Sequence, residues 1–130
     1  MDFNEYQDYA ITFTTYPTTA YIDAFNDSDD EVWRYCAEPI PWLYPALALA
    51  EEAGEVAGKL AKYVRKQDYT EETYQALRLA VLDELGDVLW QLSAVAREFD
   101  LELGHIAERN LTKLEDRKSR NVIVGEGDSR

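Results

Sequence analysis

Two long stretches of this chain, LALAEEAGEVAGKL (residues 47–60) and LDELGDVLWQLSAVARE (residues 82–98), are rich in apolar residues. In both, apolar residues recur at intervals of three and four, which is the spacing of one face of an α-helix. The pattern predicts a long helix over residues 42–66 and a second over residues 71–99, joined by residues 67–69 with a helix start at Thr70. Such a short connection favours antiparallel packing of the two helices.

Two shorter helices are predicted outside this pair, over residues 3–13, with Asp2 or Asn4 as the cap, and over residues 102–117. No stretch has a convincing strand pattern. The expected fold class is therefore all-α, an antiparallel helical bundle in one domain over residues 1–130. The helix around residues 74–99 has more apolar surface than such a bundle can cover, so we expect a homo-oligomer to complete it.

The composition restricts the partners. The 130 residues include 26 acidic and 13 basic ones, a formal net charge of −13. Such a field repels phosphate-rich partners, so binding to nucleic acid is not expected. No apolar run approaches the roughly 20 residues of a membrane span, and the acidic N-terminus lacks a signal-peptide core. With one cysteine, Cys36, there is no intramolecular disulfide framework, and we expect a cytoplasmic protein without a membrane partner.

Two acidic pairs interrupt the apolar helices: Glu52 with Glu55, and Glu84 with Asp87. Residues three apart lie on one helix face, so each pair presents two carboxylates side by side. Carboxylates among apolar residues are costly unless they are paired or bind a metal. If the two helices pack antiparallel, the four carboxylates converge and need a cation to remain ionised together.

The ligand chemistry points to a hard cation. Oxygen-only donors favour Mg²⁺ or Mn²⁺, whereas one histidine, His105, and one cysteine are too few for a zinc site of the usual His/Cys kind. Gly54 and Gly86 lie inside the two pairs, where close helix approach or room for a phosphate would explain them. The alternative is that the acids are solubilising surface, as we expect for Glu51.

The pattern Glu-x-x-Glu, residues 56–83, then Glu-x-x-Asp resembles the MazG-like nucleoside triphosphate pyrophosphohydrolases of the all-α NTP pyrophosphatase superfamily. The later stretch ERNLTKLEDRKSRNVIVGEGDSR (residues 108–130) resembles the Asn-x-x-Lys-Leu helix and glycine-containing tail of that family. The likeness covers residues 42–130 and, more loosely, FNEYQDYA near the N-terminus. Ala48 and Glu51 depart from glycines that are frequent in the family. The segment 18–41 looks like a loop insertion, which leaves base specificity open.

The resemblance implies hydrolysis of an NTP or dNTP to the monophosphate and pyrophosphate. It implies Mg²⁺, with Mn²⁺ as a substitute, held by all four motif carboxylates. It also implies that Asn110, Lys113 and Arg117 approach the phosphates or the sugar, and that the protein is a dimer or tetramer.

The residues themselves suggest how such a site would work. Glu52 or Glu55, if not fully used in coordination, could take a proton from the attacking water. Lys113 and Arg117 lie four apart on one helix face and could hold pyrophosphate oxygens. Three alternatives stay open: a dUTPase-type relative in the same superfamily, an acidic DNA mimic without enzymatic activity, and a non-catalytic helical metal sensor.

Overall fold

The computed structural model describes residues 1–16 and 41–122, and all regular structure in these two ranges is helical. The elements are α1 (Phe3–Ala10), which continues into a 3₁₀ turn (Ile11–Phe13), α2 (Leu43–Lys66), α3 (Glu71–Glu98) and α4 (Leu103–Ser119). The all-α prediction is confirmed. The predicted insertion at 18–41 lies outside the described residues apart from Pro41, as does the tail from residue 123, so the single-domain prediction stays a prediction.

The helices α2 and α3 form a hairpin whose ends have clear local causes. Helix α2 ends at Gln67, which has a left-handed backbone with φ 54°. Thr70 caps α3 by accepting a hydrogen bond from the backbone N–H of Thr73. Glu71 and Glu72 follow in the first turn, where negative charge interacts favourably with the helix dipole. The connection between α2 and α3 is short, so the two helices pack antiparallel.

The face of α2 that packs against α3 is not its most regular apolar stripe. Half-buried side chains such as Leu49 and Val56 line the side that carries Glu52. The regular stripe lies on an exposed side of α2; its members are Leu43, Leu47, Ala50, Gly54, Ala57, Leu60 and Val64. Helix α3 also has exposed leucines, with Leu79 and Leu82 both 64% exposed. The hairpin therefore buries one side of each helix and leaves apolar surface uncovered.

Helix α1 is tied to the corner between α3 and α4 by two amide side chains. Gln7 is 3% exposed. Its Nε2 donates to the carbonyl oxygen of Leu101 at 2.8 Å, and its Oε1 accepts from the backbone N–H of Leu103 at 3.0 Å. Asn4 accepts from the backbone N–H of Gly104 at 2.9 Å, and a Cβ at that glycine would lie 2.9 Å from the same amide oxygen. These contacts fix α1 beside α3.

The start of α1 adds a cap and an ion pair. Asp2, one of the two candidate caps, accepts hydrogen bonds from the backbone N–H groups of Asn4 and Glu5, and Glu5 accepts in return from the backbone N–H of Asp2. Asp8 pairs with Arg97 of α3. In residues 1–16 and 41–122, no helix has both the length and the apolar composition that a membrane span requires.

Candidate metal centre

Three of the four predicted metal ligands converge where α2 and α3 face each other. Glu52 comes from α2, and Glu84 and Asp87 come from successive turns of α3. One carboxylate oxygen of each lies within 4.8 Å of those of the other two. Glu52 and Glu84 are half-buried and Asp87 is exposed, so the cluster lies at the edge of the helix interface and is accessible to solvent.

The donor set of this acidic trio (Glu52, Glu84 and Asp87) fits a hard divalent cation. All three donors are carboxylate oxygens, which Mg²⁺ and Mn²⁺ prefer over nitrogen or sulfur. Two oxygens on one Mg²⁺ are at most about 4.2 Å apart, since each metal–oxygen bond is about 2.1 Å. The oxygens of the trio lie within 4.8 Å of one another, so the largest separation allowed here exceeds the span in a Mg²⁺ site by only about 0.6 Å.

The carboxylate of Glu52 is repelled by neighbouring negative charges, and a bound cation would relieve this repulsion. Partial burial raises the pKa of its carboxyl group, and the negative charges of Asp87, Glu51, Glu84 and Glu55 raise it further, in that order. Each of these charges disfavours ionisation of Glu52. A bound cation would reverse this effect, because the carboxylate form would then be favoured.

Lys59 also belongs to the site, although the sequence analysis did not select it. Its Nζ lies 2.9 Å from Oε1 of Glu84. The hydrogen bond to Glu84, followed by the charge of that carboxylate, raises the pKa of Lys59. The sequence offered one indication that Lys59 lies near the acids: it follows Glu55 by four residues, and residues four apart on a helix are neighbours.

A cavity of about 530 Å³ lies beside Asp87, between α1 and α3. Four aromatic side chains line it, together with three residues of other types: Tyr6, Tyr9, Phe13 and Trp90, with Ala10, Gly86 and Asp87. Burial raises the pKa of Tyr6, and the charge of Asp87 raises it further. Trp90 lies half-buried in the wall of this cavity.

The two motif glycines have open surroundings in the structure. A Cβ added to Gly54 or Gly86 would meet nothing within 4 Å among the described residues. Close approach of two described helices therefore does not explain either glycine. Gly86 lines the aromatic cavity, and the expectation that it leaves room for a phosphate stays a prediction.

The remaining predicted site residues lie apart from the trio. Glu55 is exposed and is not among the three converging carboxylates. Asn110 and Lys113 are exposed on α4 and line a different cavity of about 990 Å³. Arg117 is only 5% exposed, so its side chain does not share the open face of Lys113. The structure thus groups three acids, leaves Asn110 and Lys113 at a separate surface and buries Arg117.

The sequence of this chain is similar to those of known proteins. Residues 45–122 match the MazG nucleotide pyrophosphohydrolase domain family. The chain is 42% identical over 89 residues to the "Gene 37 protein" of Mycobacterium phage L5, covering 67% of this chain and 75% of the phage protein. No solved structure matches the chain. Because the family match takes in α2, α3, α4 and all three clustered acids, and more than half of the sequence, this chain belongs to the MazG nucleotide pyrophosphohydrolase domain family.

Proposed function

We propose that this protein hydrolyses a nucleoside or deoxynucleoside triphosphate between its α and β phosphates and releases the monophosphate and pyrophosphate. The observation that carries the proposal is the convergence of Glu52, Glu84 and Asp87 within 4.8 Å of one another. The family match includes all three residues. We assign Mg²⁺ to this trio, with Mn²⁺ as a substitute and Glu55 as the proposed fourth ligand.

The carboxylates divide into two roles. The metal ion, when bound, neutralises phosphate charge and makes water a better nucleophile. Glu84 and Asp87 hold the cation from successive turns of α3. Glu52 is the better placed of the two proposed general bases, because it is half-buried and belongs to the converging trio, whereas Glu55 is exposed and lies outside it. Glu55, exposed one turn further along α2, remains the second candidate.

The aromatic cavity beside Asp87 supports a nucleotide rather than a bare phosphate compound as substrate. A nucleobase is a flat, largely apolar ring that packs well against aromatic side chains. Tyr6 and Trp90 line the cavity together with Asp87, so a base there would place its phosphates towards the acidic trio. The proposed roles of Asn110, Lys113 and Arg117 towards phosphate or sugar rest on the family resemblance.

We further propose that the protein works as a homo-oligomer, a dimer or a tetramer. The regular stripe of α2 is uncovered, with Leu47 64% and Val64 60% exposed. On α3, Leu79 and Leu82 are exposed to the same degree as Leu47. A large uncovered apolar surface on a small protein marks an association site, and burial of such a surface against a second copy gives a closed, symmetric assembly.

The acidic DNA mimic is the less favoured alternative. That function needs carboxylates spread along an exposed face to imitate a row of phosphates. Here Glu52 and Glu84 are half-buried and converge with Asp87 on a single point. A point cluster binds one cation well, but it does not present a charge pattern that extends along a duplex.

Product analysis with a full set of nucleotides tests the proposed function. Purified protein is incubated with each common NTP and dNTP, including dUTP, plus Mg²⁺, and the products are resolved by phosphorus NMR. We expect monophosphate and pyrophosphate, no turnover in EDTA, and recovery with Mg²⁺ or Mn²⁺. Turnover confined to dUTP would identify a dUTPase-type relative. Formation of diphosphate and orthophosphate, or full activity in EDTA, would refute the proposal.

A further inference from the structure

A cation from the chain itself lies at the candidate metal centre. The ammonium group of Lys59 is 2.9 Å from Oε1 of Glu84, and the two side chains are 36% and 16% exposed. The negative charges of Glu55 and Asp83 also act on Lys59. The ion pair therefore joins α2 to α3 at one of the three clustered carboxylates, rather than lying on an open helix surface.

Helix geometry accounts for this position. Side chains of an α-helix lean towards its N-terminus, over the preceding turn. Lys59 follows Glu55 by one turn of α2, so its long side chain extends back towards the acidic trio. The trio concentrates negative charge in a chain of net charge −13. Its attraction for the ammonium offsets the conformational entropy that the lysine side chain loses when it is held in one position.

We propose that Lys59 is a built-in competitor for the divalent cation: its ammonium is bound to the Glu84 carboxylate, one of the three that converge on the metal centre, and it thereby lowers the affinity of the site for the metal ion alone. This inference rests on the metal site of the proposed function, but it does not depend on nucleotide hydrolysis.

Displacement follows from charge and geometry. Mg²⁺ needs close, near-octahedral oxygen ligands, and an ammonium hydrogen-bonded to Oε1 of Glu84 blocks one of the available directions. Two cations on one carboxylate repel each other at this distance. The lysine is the partner that can move, because its four-carbon stem is flexible and its ammonium is readily solvated. A metal ion that binds through Oε1 of Glu84 must therefore displace the ammonium of Lys59.

The consequence is a site that favours a metal ion arriving together with phosphate. The ion alone must displace Lys59. An ion that arrives with a nucleotide brings negative phosphates, and the displaced ammonium remains within one side-chain length of them. Lys59 thus makes metal binding weak on its own and more favourable in the presence of the phosphate chain.

Direct metal titration tests the inference without nucleotide. Mn²⁺ alone is titrated into the full chain by calorimetry, and free Mn²⁺ is followed by electron paramagnetic resonance. The variant Lys59→Met keeps the length of the side chain but removes its charge, and it should bind Mn²⁺ roughly fivefold to tenfold more tightly. Lys59→Arg keeps the charge and should stay close to the wild type. Lys62→Met is the matched control, because it removes an exposed lysine of the same helix.

Thermal melts separate competition from a purely structural ion pair. In EDTA, Lys59→Met should lower the melting temperature, because Glu84 loses its counterion; saturating Mn²⁺ should remove the deficit. An equal deficit in both buffers, with unchanged or weaker Mn²⁺ binding, would overturn the inference. So would an equal gain in affinity for Lys62→Met, since that result reflects net charge alone. Tighter binding by Lys59→Met in a protein that hydrolyses no nucleotide would uphold the inference while the proposed function fails.

Discussion

Replacing Glu52 by glutamine should make the protein more stable than the wild type in chelator. In Mg²⁺ the same variant should be less stable than the wild type. The pKa of Glu52 is raised above its ordinary value of 4.5, chiefly by burial and then by the neighbouring carboxylates. The folded state therefore binds this proton more tightly than the unfolded state. The stability contributed by the protonated form is present at acidic pH and lost as the pH rises through the raised pKa. At neutral pH the Glu52 charge opposes folding, and glutamine removes it.

The magnitude follows from the geometry. Glu84 and Asp87 each place an oxygen within 4.8 Å of one on Glu52, and at that distance two like charges repel by about 0.9 kcal/mol in a water-like dielectric. Lys59 neutralises part of the charge of Glu84. The free energy of unfolding of Glu52→Gln in chelator should therefore exceed that of the wild type by roughly 1 kcal/mol. For a chain of this size, that corresponds to about 3–5 °C in melting temperature.

The assay is a thermal melt in EDTA and in Mg²⁺, at neutral and acidic pH. Mg²⁺ at about 100 times Kd adds about 2.7 kcal/mol to the free energy of unfolding of the wild type. The variant has one metal ligand fewer, so Mg²⁺ should stabilise it much less. The order of the two melting temperatures should therefore invert. Glu51→Gln is the control for metal binding: Glu51 is adjacent but outside the trio, so this variant should gain as much stability from Mg²⁺ as the wild type. A variant that is no more stable than the wild type in EDTA, or that gains as much from Mg²⁺, would refute this reasoning.

Three further predictions concern the fold and the assembly. Burial, followed by the charge of Glu98, raises the pKa of Tyr16 from 10.0 to about 12. The folded protein should therefore lose stability between pH 10 and 12, as the neutral hydroxyl of Tyr16 ionises. Tyr16→Phe should reduce this loss of the free energy of unfolding, measured by urea denaturation. Gln7→Leu should cost about 2–3 kcal/mol in urea denaturation, because buried backbone groups of the corner between α3 and α4 lose their partners; a loss below about 0.5 kcal/mol would contradict this. Leu82→Glu should dissociate the oligomer in light scattering, since Leu82 is 64% exposed; a monomeric wild type at micromolar concentration would contradict the proposed assembly.

The helices could be predicted from sequence because their causes are local. The spacing of apolar residues fixes α2 and α3, and short-range features such as the Thr70 cap fix where α3 begins. The acidic pairs could also be placed, because residues three apart share a helix face and a short connection returns α3 along α2. These arguments predict that the acids meet, but they do not give the register of one helix against the other.

That register explains where the sequence analysis was incomplete. Residues three apart differ by about 60° around the helix axis, so packing decides whether both acids of a pair point inward. On α3, Glu84 and Asp87 both reach the cluster, whereas on α2 only Glu52 does. Lys59 was missed for the same reason, because its partner lies on the other helix.

The aromatic cavity and the exposed stripe depend on still longer-range contacts. Trp90 lines a cavity because Gln7 and Asn4 hold α1 beside α3, and these contacts span most of the chain. The stripe that includes Leu47 has the spacing of a buried face although it is exposed in one chain. Periodicity shows that a face is apolar, but it does not show whether the same chain or a second copy covers it.

The turnover of the acid variants, measured beside matched controls, shows whether the acidic trio is a catalytic metal site. Asp87→Asn and Glu84→Gln keep side-chain shape but remove a metal-binding charge; each should abolish most release of pyrophosphate from the preferred nucleotide in Mg²⁺ while the helical content is retained. Glu71→Gln and Glu72→Gln change acids at the start of α3, away from the cluster, and should keep the activity. If all four variants retain wild-type turnover, the acidic trio is not a catalytic metal site and the proposed function is wrong.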